Sequence, residues 1–92
     1  MDPITDEEDV KYYLGSMYVQ EKDYIKAIKI YKEGLALNPR SPILLYELGL
    51  AYLRLNNKKR ALSYWKKALK NVSAYSYLGV LVKEKMRFSL HH

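Results

Sequence analysis

The chain has 92 residues, of which 49% are apolar, carries a formal net charge of +6 and contains no cysteine. This length fits one small domain spanning residues 1–92, and the missing cysteines exclude a disulfide framework, a thiolate metal site and a thiol nucleophile. The N-terminal segment is acidic and no run of about 18 uncharged apolar residues occurs. We therefore predict neither a signal peptide nor a membrane span, and expect a cytoplasmic protein.

The first two predicted helices follow a clear capping pattern. Thr5 is followed three residues later by Glu8, a capping box that predicts a helix over residues 6–21. After a turn, Asp23 is expected to cap a second helix over residues 24–37. Its apolar residues recur at helical spacing, which predicts that they form its buried face: Ile25, Ile28, Tyr31 and Leu35.

Three further helices are predicted in the rest of the chain. Ser41 and Pro42 provide an N-cap and a first helical residue, which start a third helix over residues 42–55. An Asn-Asn turn leads into a fourth helix over residues 58–71. A fifth helix is expected over residues 75–88.

The same residue types return at a period of 34 residues. In the first copy these are Leu14, Gly15, Tyr18, Ala27 and Tyr31, and in the second they are Leu48, Gly49, Tyr52, Ala61 and Trp65. A period in this range marks stacked supersecondary units that bury their apolar faces against one another. The glycines and alanines are expected to let the two helices of each unit approach closely.

The spacing L-G-x-x-Y, then A-x-x-x-aromatic, resembles the tetratricopeptide repeat family. The resemblance places one repeat at residues 8–41, a second at residues 42–75 and a capping helix at residues 75–88, whose polar outer side would be supplied by Lys83, Lys85 and Arg87. It implies an all-α fold of about five helices, in which antiparallel helix pairs stack into a right-handed superhelix. The pattern departs where Ser73 replaces the terminal proline, and where Lys11 and Leu45 occupy the position of the family's first tryptophan.

No constellation of residues in the sequence supports catalysis. General acid–base or nucleophilic chemistry needs a positioned base, nucleophile or metal, and the two histidines, His91 and His92, are interpreted as the remnant of a purification tag. Glu47 is a lone carboxylate in an apolar helix, expected to pair with Arg54 or with a cation of a partner. We predict a protein that is not an enzyme and needs no cofactor or metal.

The third helix carries two apolar stripes. One is predicted to pack on neighbouring helices and comprises Leu44, Leu45, Leu48, Ala51, Tyr52 and Leu55. The second apolar stripe comprises Ile43, Tyr46, Leu50 and Leu53. The resemblance implies that the first helix of each pair lines a concave groove for a partner's peptide or helix. The groove residues would be Tyr12, Tyr13, Ser16, Val19, Gln20, Ile43, Tyr46, Glu47, Leu50, Leu53, Arg54, Tyr77, Val80 and Leu81. A helix that is apolar nearly all round is expected to be covered on both sides.

The side chains predicted to line this groove indicate which kind of segment it would bind. A subclass of the family grips a C-terminal carboxylate with Lys, Asn and Asn, where this chain has Tyr12, Ser16 and Glu47. The chain therefore does not resemble that subclass, and an apolar or amphipathic partner segment is predicted. Because two repeats fall below the approximately three normally needed for a stable array, a homodimer is an equal alternative, and coverage by the fifth helix a third one.

The distribution of basic residues indicates a second possible class of function. Basic residues collect on the second and fourth helices, at Lys26, Lys29, Lys32, Lys58, Lys59, Arg60, Lys66, Lys67 and Lys70. Such a convex face would bind nucleic acid or another acidic partner in a salt-dependent manner. This alternative is disfavoured, because no aromatic ring is expected to accompany these cations on their own face, since the aromatic residues of those helices are expected to be used in packing.

Overall fold

The computed structural model describes residues 6–73 and 75–91. Within them the chain forms five helices: α1 (Glu7–Gln20), α2 (Tyr24–Leu37), α3 (Pro42–Arg54), α4 (Lys58–Lys70) and α5 (Tyr77–His91). α1 packs on α2 and α3 packs on α4 as two helical hairpins, α2 and α3 join the hairpins, and α5 packs mainly on α4. The predicted all-α helical repeat is confirmed. No described helix has the length and apolar content needed to cross a membrane.

The start of α1 differs from the predicted capping box. The N-cap is Asp6, whose carboxylate accepts a hydrogen bond from the Glu8 backbone N–H at 3.0 Å. The side chain of Glu8 instead accepts a hydrogen bond from the Asn38 amide at 3.0 Å, which ties the start of α1 to the end of α2. Thr5 lies outside the described residues. An aspartate is as good an N-cap as threonine, so the shift by one residue keeps the helix.

The other predicted N-caps agree with the structure. Asp23 accepts a hydrogen bond from the Lys26 N–H at 3.2 Å, and Ser41 accepts one from the Leu44 N–H at 3.4 Å, with Pro42 as first helical residue. The turns inside the two hairpins also repeat. Lys22 and Asn56, 34 residues apart, both adopt a left-handed backbone with φ of 62°.

The predicted bounds of three helices and two predicted core positions need correction. α3 ends at Arg54 and Leu55 is its C-cap, exposed by 39%, so Leu55 does not belong to the buried face. α4 ends at Lys70. α5 spans Tyr77–His91 and not 75–88, because the Ser76 hydroxyl accepts a hydrogen bond from the Gly79 N–H and starts the helix there. Ile25 is 68% exposed, because it lies in the first turn of α2 outside the hairpin contact.

Close helix approach at two glycines forms the centre of each hairpin. A Cβ atom added to Gly15 would overlap the ring of Tyr31, and one added to Gly49 would overlap the indole of Trp65. Both rings are fully buried, and so are Ala27 and Ala61, the small residues of the same repeat pattern. The repeated glycines therefore make room for an aromatic ring from the facing helix, as the sequence predicts.

Polar contacts fix both rings in place. The Trp65 indole N–H donates a hydrogen bond to the backbone carbonyl of Tyr46 at 3.1 Å. In the first hairpin the Tyr31 hydroxyl lies 3.2 Å from the Ser16 hydroxyl, which itself donates to the carbonyl of Tyr12 at 2.9 Å. Burial raises the pKa of Tyr31 to about 12, so the phenol stays neutral in its pocket.

We predict that Gly49→Ala destabilises the fold although alanine is the better helix former. The gain in helix propensity is about 1 kcal/mol, whereas forcing the methyl group against the buried indole should cost more, for a net loss of about 1–3 kcal/mol. This corresponds to a fall in Tm of about 4–8 °C for each kcal/mol. Thermal unfolding followed by circular dichroism measures it. Ser63→Ala, at an exposed position of α4, is the control and should leave Tm unchanged or slightly higher. A Tm of Gly49→Ala at or above that of the parent would contradict the packing.

Candidate functional site

One face of α3 lies between α1 and α5 and forms a groove, which we call the α3 groove. Its deeper part is a cavity of about 190 Å³ lined by Val19, Tyr24, Tyr46, Glu47, Leu50, Ala51, Arg54 and Lys85. An adjoining opening of about 430 Å³ is lined by Leu50, Leu53, Arg54, Asn56, Lys85 and Phe88. Leu50, Arg54 and Lys85 line both parts. The groove is therefore one continuous surface with α3 as its floor.

The structure brings part of the predicted set together in this groove. The residues of that set that line it are Val19, Tyr46, Glu47, Leu50, Leu53 and Arg54. All but Val19 belong to α3. Their spacing of three and four residues places them on one side of the helix, which explains why the sequence pattern could group them.

The remaining predicted residues lie elsewhere. Ser16 is directed toward Tyr31 and so serves the first hairpin, and Leu81 packs against the core. Tyr77 is 81% exposed. None of the following lines either part of the groove: Tyr12, Tyr13, Ser16, Gln20, Ile43, Tyr77, Val80 and Leu81. The α5 side chains that do line the groove, Lys85 and Phe88, do so together with Leu50, Leu53 and Arg54 of the second half of α3.

Several groove residues were not predicted from the sequence. Lys85 was expected on the outer polar side of the capping helix, but it lines both parts of the groove. Tyr24 enters from the start of α2, although the family pattern assigns the groove to the first helix of each pair. Phe88, at 58% exposure, lies at the open end beside Leu53. No periodicity within a single helix indicates these positions, because they depend on how α2 and α5 approach α3.

Coverage of the second apolar stripe is partial. Tyr46 retains only 7% exposure, whereas Ile43, Leu50 and Leu53 stay half-buried. Burial is also the main reason that the pKa of the Tyr46 phenol is raised. The stripe is thus buried at Tyr46 and stays partly open at Ile43 and, toward the end of α3, at Leu50 and Leu53, where Lys85 and Phe88 of α5 border it.

Glu47 is the most unusual side chain of the groove. It is half-buried at the floor of the deeper cavity, and burial alone raises the pKa of its carboxyl above the ordinary value. The predicted pair with Arg54 is wrong. Among the residues that the structure describes, the ion pairs are Lys11 with Glu33, Lys26 with Asp23 and Arg87 with Glu84, and no hydrogen bond reaches the Glu47 carboxylate. Arg54 and Lys85 share the cavity but lie beyond ion-pairing distance of it.

The basic face centres on α4. Its cations are Lys58, Lys59, Arg60, Lys66, Lys67 and Lys70, and the helix contains no acid. The expectation that no aromatic ring accompanies these cations is wrong. Tyr52 and Tyr64 stack with ring centroids 5.5 Å apart, Arg60 lies over the Tyr52 ring and Lys67 over the Tyr64 ring. The stack reaches this face because Tyr64 is only half-buried on α4.

The fold and the groove together define an all-helical repeat protein. A family model described as TPR repeat matches residues 15–56, and another, described as tetratricopeptide repeat, matches residues 42–75. The two matches together extend over residues 15–75, from the middle of α1 past the end of α4, and the chain belongs to the tetratricopeptide repeat family. Members of the family generally bind protein partners and are typically non-catalytic scaffolds. A search of the curated proteins finds no match.

The buried carboxylate predicts a distinctive pH dependence. Because its folded pKa lies above the unfolded value of 4.5, folding takes up protons between the two values, and stability falls as pH rises through that interval. Glu47→Gln removes this loss. We expect the Tm of the variant, relative to the parent, to rise as pH increases from below 4.5 to 7.

Glu33→Gln is the matched control for that measurement. The hydrogen bond and charge of Lys11 lower the pKa of Glu33, so its contribution is present above the unfolded pKa and is lost as pH falls. The Tm of this variant, relative to the parent, should therefore change with pH in the opposite direction. If Glu47→Gln instead lowered Tm at pH 7, a cation of the free protein would already pair with Glu47.

Proposed function

We propose that the protein is a non-catalytic interaction module that binds an apolar or amphipathic segment in the α3 groove. The observation that carries the proposal is the open end of the apolar stripe, where Leu50 and Leu53 remain half-buried between α3 and α5. The aliphatic and aromatic groups of Val19, Tyr46 and Phe88 border the same surface. Burying such a side chain fully contributes about 1.5–3 kcal/mol, which favours an occupant with apolar anchors.

The dimensions of the groove favour side chains of a macromolecule over a free small molecule. The deeper cavity of about 190 Å³ is smaller than the roughly 300–1,000 Å³ of typical ligand pockets. It widens directly into the larger opening, so two anchors in succession could enter along α3. Amphipathic helices bind in this way, with anchors at helical spacing laid into an apolar groove.

A second copy of the chain is one candidate for the occupant. α5 also exposes the apolar side chains of Val80, Phe88 and Leu90, and Phe88 borders the groove. Apolar patches rimmed by charged residues are typical of interaction sites. Self-association through the groove and binding of a different protein therefore use the same surface, and a measurement of mass in solution distinguishes them.

The central test combines Leu50→Ser with a control outside the groove. Twelve-residue peptides selected from a random display library on the immobilised protein should bind Leu50→Ser about ten- to a hundredfold more weakly, since the leucine burial of about 1.5–3 kcal/mol is lost. Leu62→Ser, a half-buried leucine on the outer side of α4, should bind them within about twofold of the parent. Tyr46 is unsuitable, because its burial and its carbonyl bond to Trp65 are part of the fold.

Sedimentation equilibrium of the same variants completes the test. If the groove is filled by a second copy, the parent is a dimer and Leu50→Ser weakens the dimer, whereas Leu62→Ser does not. A monomeric parent that selects no peptides, or peptides that bind Leu50→Ser as well as the parent, would refute groove binding.

A second candidate function rests on the basic face. Lys59, Lys66, Lys67 and Lys70 line one open cleft on α4, without an acidic neighbour in the helix. Phosphates neutralised there would release counterions, so affinity should fall steeply with salt. Fluorescence anisotropy with a random 20-nucleotide single strand should show binding at 50 mM salt that weakens at 200 mM and is lost in Lys66→Glu/Lys70→Glu. Lys85→Glu, on α5 and outside this cleft, is the control, and absence of binding at 50 mM would exclude this function.

A further inference from the structure

Glu47 is a partly buried carboxylate without a cationic partner in the α3 groove. Its carboxylate lies half-buried in the 190 Å³ cavity beside Leu50, and no described residue pairs with it. The remaining solvation comes from water that enters through the open side of the cavity. The carboxylate is thus tolerated only while the groove stays empty or wet.

A segment that binds in the groove would change how the Glu47 carboxylate is solvated. A purely apolar segment laid over Leu50 and Leu53 would remove the water from Glu47 and leave a buried charge without a partner, which costs several kcal/mol. That cost would offset most of the gain from burying one or two apolar anchors. An occupant that supplies a charged donor avoids the cost and gains a charge-assisted hydrogen bond.

We propose that the segment bound in the α3 groove carries a lysine or arginine that enters the deeper cavity and pairs with Glu47. The inference rests on the proposed groove binding and specifies the chemistry of its occupant. The cationic group lies on the carboxylate, and the methylene stem lies against Val19 and Leu50, as long basic side chains do on apolar surfaces. The occupant is therefore an amphipathic segment with apolar anchors around one cation.

The surroundings of Glu47 restrict the number of cations. Arg54 lies two helical turns along α3, and Lys85 faces the same cavity from α5. A second positive charge in the segment near that end would be repelled, whereas an acidic or neutral residue would not. The chain itself carries a net charge of +6, which further disfavours polybasic segments. Selection for one cation at a fixed position is thus the expected signature.

The experiment selects twelve-residue peptides from the same random display library on the parent and, separately, on Glu47→Gln. The parent should enrich peptides with one Lys or Arg at a fixed position between apolar residues, and the variant should enrich apolar residues without it. For one selected peptide, a double-mutant cycle then combines Glu47→Gln with replacement of the peptide cation by norleucine. The cationic peptide should bind Glu47→Gln about ten- to a hundredfold more weakly than the parent. The norleucine peptide should bind Glu47→Gln about tenfold more tightly than the parent, because the variant leaves no unpaired charge under the apolar side chain.

The outcomes separate this inference from groove binding itself. If the selected peptides depend on Leu50 but show no enriched Lys or Arg, the proposed cation is wrong and groove binding is still supported. The same holds if the double-mutant cycle shows no coupling between Glu47 and the peptide cation. Selection that yields no Leu50-dependent peptide overturns both. Circular dichroism of Glu47→Gln checks that it is folded, and Glu33→Gln, outside the groove, should enrich the same cationic peptides as the parent.

Discussion

The close approach of two helices at a glycine is the contact on which the rest of the structure depends. In each hairpin the missing Cβ of Gly15 or Gly49 admits a buried ring, Tyr31 or Trp65, that fills the space between the helices. In the second hairpin the Trp65 ring is also bonded to the backbone of α3, because its indole N–H donates a hydrogen bond to the carbonyl of Tyr46. The packing that forms the core thereby fixes the helix that carries the groove.

This contact also explains why Glu47 is placed as it is. The Trp65 indole donates its hydrogen bond to the carbonyl of Tyr46, and Glu47 is the next residue in α3. Fixing the backbone at Tyr46 therefore also fixes the direction in which the Glu47 side chain leaves the helix. Leu48 and Gly49 on the other side are buried against α4 and cannot rotate outward. The carboxylate is thus held at the floor of the cavity by packing on the opposite face, at a distance from Arg54 and Lys85 that their side chains do not bridge.

The sequence predicted the elements that depend on local and repeated patterns, and it did less well for contacts between repeats. The 34-residue period identified the family, and the caps at Asp23 and Ser41 placed their helices correctly. The same pattern could not show that α5 would bring Lys85 and Phe88 to the groove on α3, because their positions depend on how α5 packs against α3 and α4. Nor could it show that Tyr46 would be buried while Leu50 stayed half-buried.

Nor could the sequence show that Glu47 is unpaired. This finding replaces the predicted pair with Arg54, and it affects both the stability of the free protein and its choice of partner. An arginine two turns along the same helix made an internal pair reasonable, and such a pair would have made the groove electrostatically complete. Without it, the free protein keeps a carboxylate in a partly dehydrated site, at a cost to its own stability that rises with pH. A partner that supplies the missing charge recovers that cost on binding. An apolar partner would increase it, so the same residue that weakens the free fold discriminates between the segments that can occupy the groove.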